Sequence, residues 1–158
     1  FFISDEVFLP NFDVEINSAL QMKAYEYECL RENSALDSIV SSCKGVVLVS
    51  SDKPFRDLWH KTGSIVIQYK PNLKTISISG LNQGSAEILN QRSRVEHKDV
   101  YTIFGEKGLG RLYPLLDTII GVDGSGGRDD IGGTPRGLEM NFDDAKTIAN
   151  FVRNNFFN

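Results

Sequence analysis

Between Gly124 and Gly137 the chain reads "GSGGRDDIGGTPRG", with six glycines and two arginines in fourteen residues. Glycine reaches positive φ and has no Cβ to hold a ligand away from the main chain, so successive N–H groups can converge on an anion. Arg128 and Arg136 add forked donors suited to phosphate oxygens. A phosphate site is therefore one reading of the stretch, and a mobile surface connector is the other. The spacing is neither the GxxxxGK[ST] of a P-loop nor a strand–GxGxxG–helix fingerprint.

Other residues capable of chemistry are scattered. Arg92, Arg94 and Lys98 form a basic cluster that can follow a phosphate backbone, or simply a wet helix end. Trp59 and Phe55 can stack on a base, but a spacing of four on a helix favours a core contact. His60 and His97 lie far apart in sequence, and the adjacent carboxylates of Asp129 and Asp130 do not make a metal site alone. We therefore expect no metal and no catalytic residues in this chain. Cys43, His60 and Asp99 lack the flanks that activate a thiol. His97, in "RVEHKDV", reads as an exposed polar residue ahead of a strand. Cys29 and Cys43 read as small buried apolar residues, which fits a reducing cytoplasm.

The elements that must position these residues come from a chain of 158 residues, 41% hydrophobic and 24% charged. That length and composition predict one globular domain over residues 1–158. No apolar run approaches the roughly 20 residues of a bilayer span. The opening "FFISDEVFLP" is too short and too acidic for a signal peptide, and without an initiator Met we expect a piece of a longer protein. The net charge of −4 is unevenly spread: residues 1–43 carry −6, residues 44–111 carry +5 and the remainder −3. A basic middle inside an acidic frame permits a local anion site.

Phe12, Ile16, Leu20, Ala24, Tyr27 and Leu30 recur at helical spacing, predicting a helix over 12–31 capped by Asn11 or Asp13. A shorter helical piece, Ala35–Ser42, leads into the buried strand "GVVLVS". Pro54 opens a helix, "PFRDLWHKTG", that Gly63 stops. "SIVIQY" and "KTISISG" form a hairpin around Pro71–Asn72, the second strand alternating Ile76 and Ile78 with Ser77 and Ser79. "QGSAEILNQRS" reads as a helix, "DVYTIF" as a strand, "GRLYPLLDTIIG" as a helix with Pro114 in its first turn, and "GLEMNF" as a strand. Asp143 and Asp144 start a last helix whose stripe is Ala145, Ile148, Ala149, Val152 and Phe156. The fold class is α/β: a mixed sheet of about five strands covered by helices, with long N- and C-terminal helices.

"GGTPRG", Gly132 to Gly137, between a helix and an edge strand and ahead of one long terminal helix, resembles the "GGHxxAAG" signature of the DHH-associated (DHHA1) domain. That domain is the second lobe of the DHH phosphoesterase family, which includes RecJ-like single-strand nucleases. The likeness extends over roughly residues 12–156 through the order of its elements. It implies a non-catalytic lobe whose Gly132, Gly133, Thr134, Arg136 and Gly137, with Arg128, Arg92 and Arg94, face single-stranded nucleic acid or a nucleotide. Thr134 stands where the family has its histidine, Arg136 runs straight into Gly137 without the two alanines, and Gly80 replaces an arginine. These departures resemble the degenerate lobes of replisome relatives, which implies protein partners such as GINS and roles in DNA replication and repair. Mn²⁺ or Mg²⁺ would belong to a separate DHH catalytic lobe, whose aspartates and paired histidines this chain lacks. The rival expectation is a free-standing acidic adaptor or immunity-type protein, docking through its acidic first helix.

Overall fold

The computed structural model describes residues 2–157, with side chains from residue 18 onward. By compactness the chain divides into residues 1–36 and residues 37–158. The first unit is a single helix, which runs on to Asp37 as α1 (Phe2–Asp37). It begins well before the expected start at residue 12, and the predicted caps Asn11 and Asp13 lie outside the residues whose side chains are described. Among its described side chains, Leu20, Met22, Tyr25, Tyr27 and Leu30 are all exposed.

The second unit is one mixed sheet of six strands with helices packed on it. Its strands are β1 (Ile39–Cys43), β2 (Val46–Ser50), β3 (Ile65–Lys70), β4 (Thr75–Gly80), β5 (Gly126–Gly127) and β6 (Ile131–Gly133), in the spatial order β1-β2-β3-β4-β6-β5. Only the β2–β3 pair is parallel. A parallel pair needs a crossover, and the short helix α2 (Arg56–Trp59) lies in it. The other helices are α3 (Gln83–Arg92), α4 (Val100–Phe104), α5 (Tyr113–Ile120) and α6 (Phe142–Phe156), with a 3₁₀ turn at Gly108–Arg111.

Three expected elements are corrected. The helix expected over Ala35–Ser42 ends at Asp37, and Ile39–Cys43 instead form β1. Lys44 and Gly45 both have positive φ (53° and 84°) between the paired Cys43 and Val46, so "KG" supplies the hairpin turn that Asn-Gly usually makes. "DVYTIF" is helical, because the Asp99 carboxylate accepts the Thr102 N–H at 2.8 Å and caps the turn, while Val100 and Phe104 bury one face. "GLEMNF" is not a strand: its place beside β4 is taken by β6, and Met140 N–H donates instead to Lys74 O at 2.8 Å.

Period-two alternation divides the sheet's side chains between two faces. Val46, Leu48, Ile65, Ile67, Ile76 and Ile78 point one way, into a core with Val100, Phe104, Leu112, Leu116, Ile148 and Val152. α6 stays on that face through its buried stripe Ala145, Ile148, Ala149 and Val152 and through a capping box in which Asn141 and Asp144 satisfy each other's N–H groups. Each fully buried Ile or Leu there contributes roughly 1.5–3 kcal/mol. As expected, Pro114 sits in the first turn of α5, and Gly121 (φ 84°) closes that helix in the left-handed region.

Candidate functional site

The other face carries Gln68, Lys70, Thr75, Ser77 and Ser79. The strand register sets Gln68 beside Ser77 on β3–β4, and Ser77 and Ser79 beside Gly133 and Ile131 on β4–β6. A groove of about 450 Å³ runs over this patch, with Lys53, Arg56 and Lys70 as its cations and Asp52 and Asp57 as its anions. It continues into a concavity of about 790 Å³ formed by the glycine ribbon, Thr134 and Arg136, and the two share Ser77 and Ile131 as walls.

The groove floor is hydrogen-bonded by the β2–β3 crossover. Gln68 Nε2 donates to Ser51 O at 2.8 Å and to Lys53 O at 3.1 Å, so both of its amide protons are used. His60, only 4% exposed, meets Gly63 O through Nδ1 at 3.1 Å and Ser79 Oγ through Nε2 at 2.9 Å. A carbonyl only accepts, so Nδ1 carries the proton and Ser79 O–H donates to Nε2. Burial lowers the His60 pKa to about 4, so the ring is neutral at pH 7.

The glycine-rich segment is an ordered ribbon. β5 and β6 pair, Arg128 N–H donates to Ile131 O at 2.7 Å, and Leu109 N–H donates to Asp129 O at 2.8 Å. The Tyr113 hydroxyl donates to Arg128 O and the Tyr101 hydroxyl to the Asp129 carboxylate. Two of the ribbon's N–H groups already hold an anion, the chain's own: Ser125 N–H meets Asp117 Oδ1 at 2.8 Å and Gly124 N–H meets Oδ2 at 3.4 Å. Ser125 beside it holds the Asp117 carboxyl below its ordinary pKa. Gly132 is required by packing, since a Cβ there would lie 2.1 Å from the Tyr113 hydroxyl oxygen, and one on Gly133 would lie 2.7 Å from Ile76 O.

Of the sequence-predicted site residues, Gly132, Gly133, Thr134 and Arg136 line the larger concavity together. Thr134 is turned toward the sheet, its hydroxyl oxygen accepting Ile76 N–H at 3.2 Å. Gly137 (φ 79°) is exposed in the turn that follows Arg136, outside both linings, and Arg128 is exposed at the tip of the ribbon. Arg92 and Arg94 are exposed at the end of α3 and just beyond it, and line neither groove. Gly80, where the family resemblance would place an arginine, has no room for a side chain: a Cβ would lie 1.9 Å from Val100. Sequence reasoning did not single out Lys53, Arg56, Gln68, Lys70, Ser77 or Ser79 as site residues. The Ile–Ser alternation of β4 was their one visible signal.

Other residues fall differently from expectation. His97 is buried, not exposed, because the Asn90 side chain clasps its backbone N–H at 2.6 Å and its carbonyl at 2.9 Å. Cys43 is exposed on the edge strand β1 and Cys29 is half-buried. Trp59 is fully buried, edge-on to Phe55 at 6.2 Å, as its spacing predicted. Both nitrogens of His60 are engaged by Gly63 and Ser79 and neither by Cys43. Among the described residues, no three His, Cys, Asp or Glu side chains converge as a metal-holding group, and no helix is long and apolar enough to cross a membrane.

The class that fold and site define is an α/β domain with one sheet face sealed by helices and the other buried at Val47, Val49 and Val66 and grooved beside Gln68, Ser77 and Ser79. No family model matches the chain, and no curated protein or solved structure is similar to it.

Proposed function

We propose that residues 37–158 act as a non-catalytic lobe that holds single-stranded nucleic acid for a separate catalytic lobe of the DHH type. One observation carries this reading: the two adjoining grooves gather Lys53, Arg56, Lys70 and Arg136, interspersed with Asp52, Asp57 and Asp123, over a polar, hydrogen-bonded floor. Cations along a groove follow a phosphate backbone, while the polar floor faces the bases. The likeness of "GGTPRG" to the DHHA1 signature supports the same reading. Any Mn²⁺ or Mg²⁺ would be held by the other lobe, and a replisome protein of the GINS kind is a further partner in this proposal.

Labelled single-stranded DNA, titrated between about 50 and 200 mM salt, tests it. We expect affinity to fall steeply with salt, and Arg136→Ala to weaken binding and reduce the salt slope by about one. No binding at the lowest salt would overturn the proposal. That result would favour the second reading, an adaptor that docks through α1, which the exposed Leu20, Met22, Tyr25, Tyr27 and Leu30 on an acidic helix support.

A further inference from the structure

We infer that the floor of the smaller groove pairs with the exocyclic amino group of cytosine, so that the lobe prefers cytosine-bearing over uracil-bearing strands. The inference rests on the nucleic-acid reading above and adds to it the chemistry of the base. It comes from the polarity of the floor's hydrogen bonds. Ser79 Oγ has one proton, and His60 Nε2 takes it, because the Gly63 carbonyl fixes the opposite tautomer. Ser79 lines the groove, and with its proton given to His60 its hydroxyl has only lone pairs left to offer.

Gln68 repeats the arrangement from the adjacent strand. The Ser51 and Lys53 carbonyls can accept but not donate, so the atom between them is Nε2 and both its protons are used. What Gln68 retains is its carbonyl oxygen, again an acceptor. Two side chains on adjacent strands that serve as donors elsewhere are thus both made acceptors here, by partners in the β2–β3 crossover. Asp52 and Asp57 at the rim add carboxylate acceptors. A ligand group that meets this floor must bring protons, and one that brings lone pairs leaves buried acceptors facing its own.

Cytosine brings the two protons of its amino group to such a floor, whereas uracil has a carbonyl acceptor in that place and a single ring N–H flanked by two carbonyls. Backbone phosphates are identical in the two strands, so Lys53, Arg56 and Lys70 cannot tell them apart. A site built to hydrogen-bond a donor rejects the analogue lacking it, because its own polar groups are left unpaired.

The test is fluorescence anisotropy with labelled oligo-dC and oligo-dU decamers at pH 7.5 and low salt. We expect dC to bind about tenfold tighter than dU. Ser79→Ala should bring that ratio close to one, and Lys53→Ala should weaken both decamers alike. Circular dichroism melts confirm that each variant folds. Should Ser79→Ala not fold, the wild-type ratio decides alone. If both decamers bind equally and both weaken with salt, this inference falls and the nucleic-acid reading stands. If neither binds, both fall together. A ratio that survives in folded Ser79→Ala also overturns it.

Discussion

On one face of β4, Ile76 and Ile78 lie at 1% and 0% exposure, in a core with side chains of α4, α5 and α6. On the other face Ser77 and Ser79, from the same six residues, line a groove. The two faces solve different problems. The apolar face gains stability by removing carbon surface from water, without directional constraint. The polar face loses hydration and recovers it only where each donor and acceptor finds a partner. It has found those partners in the β2–β3 crossover on the same face, in Ser51 and Lys53 and, through His60, in Gly63. A sealed face stabilises the molecule, and a face whose donors are already satisfied by its own chain keeps its acceptors for recognition.

The comparison breaks most directly at β4 itself. Ile78→Ala should cost about 4 kcal/mol, because it leaves a cavity in the core, whereas Ser77→Ala should stay within about 0.5 kcal/mol. Urea unfolding midpoints measure both, and similar losses would show that the two faces are not distinct in kind.

His60 sharpens the contrast through pH. Its folded pKa of about 4 lies below its ordinary value of 6.5, so the unfolded chain takes up a proton that the fold refuses. The stability tied to neutral His60 is fully present above about pH 6.5, falls as pH drops toward 4, and falls no further below that. The loss is on the order of 3 kcal/mol. It appears as a fall in urea midpoint between those pH values that His60→Gln removes, and an equal fall in the variant would refute the assignment.

Gly132 and Gly133 both line the larger concavity, but a Cβ on Gly132 would run into Tyr113. Gly132→Ala should therefore cost about 2 kcal/mol by overpacking and by displacing Tyr113 from the Arg128 carbonyl. Thermal melts measure it, and a neutral result would mean that the ribbon's glycines are not held by packing.

Much of this fold is legible in short stretches. β2, β3 and β4 announce themselves by β-branched runs and by strict alternation, and α6 by its acidic start and apolar stripe. "DVYTIF" is too short for periodicity to separate helix from strand, and the Asp99 cap that decides it depends on one hydrogen bond. "GLEMNF" has strand character but no strand partner, because the glycine ribbon reaches β4 first. The site is less legible. Arg92 and Arg94 stand out as a local cluster yet line neither groove, while Lys53, Arg56, Lys70 and Arg136 are separated in sequence and gathered only by the sheet.

The sequence by itself determined which residues share a face, because a strand repeats every two residues and a helix every 3.6 wherever the chain puts them. That the backbone must be bare at Gly132 and Gly133 was decided by Tyr113 and Ile76, which approach from elsewhere in the chain. Only the tertiary structure decided which sheet face stays open, since the covering side chains of α4, α5 and α6 arrive from residues 100–156. It alone decided that Ser79 is an acceptor, because the histidine that takes its proton comes from nineteen residues away. Periodicity is a local property of the backbone, whereas solvent access and hydrogen-bond polarity depend on what packs from elsewhere in the chain.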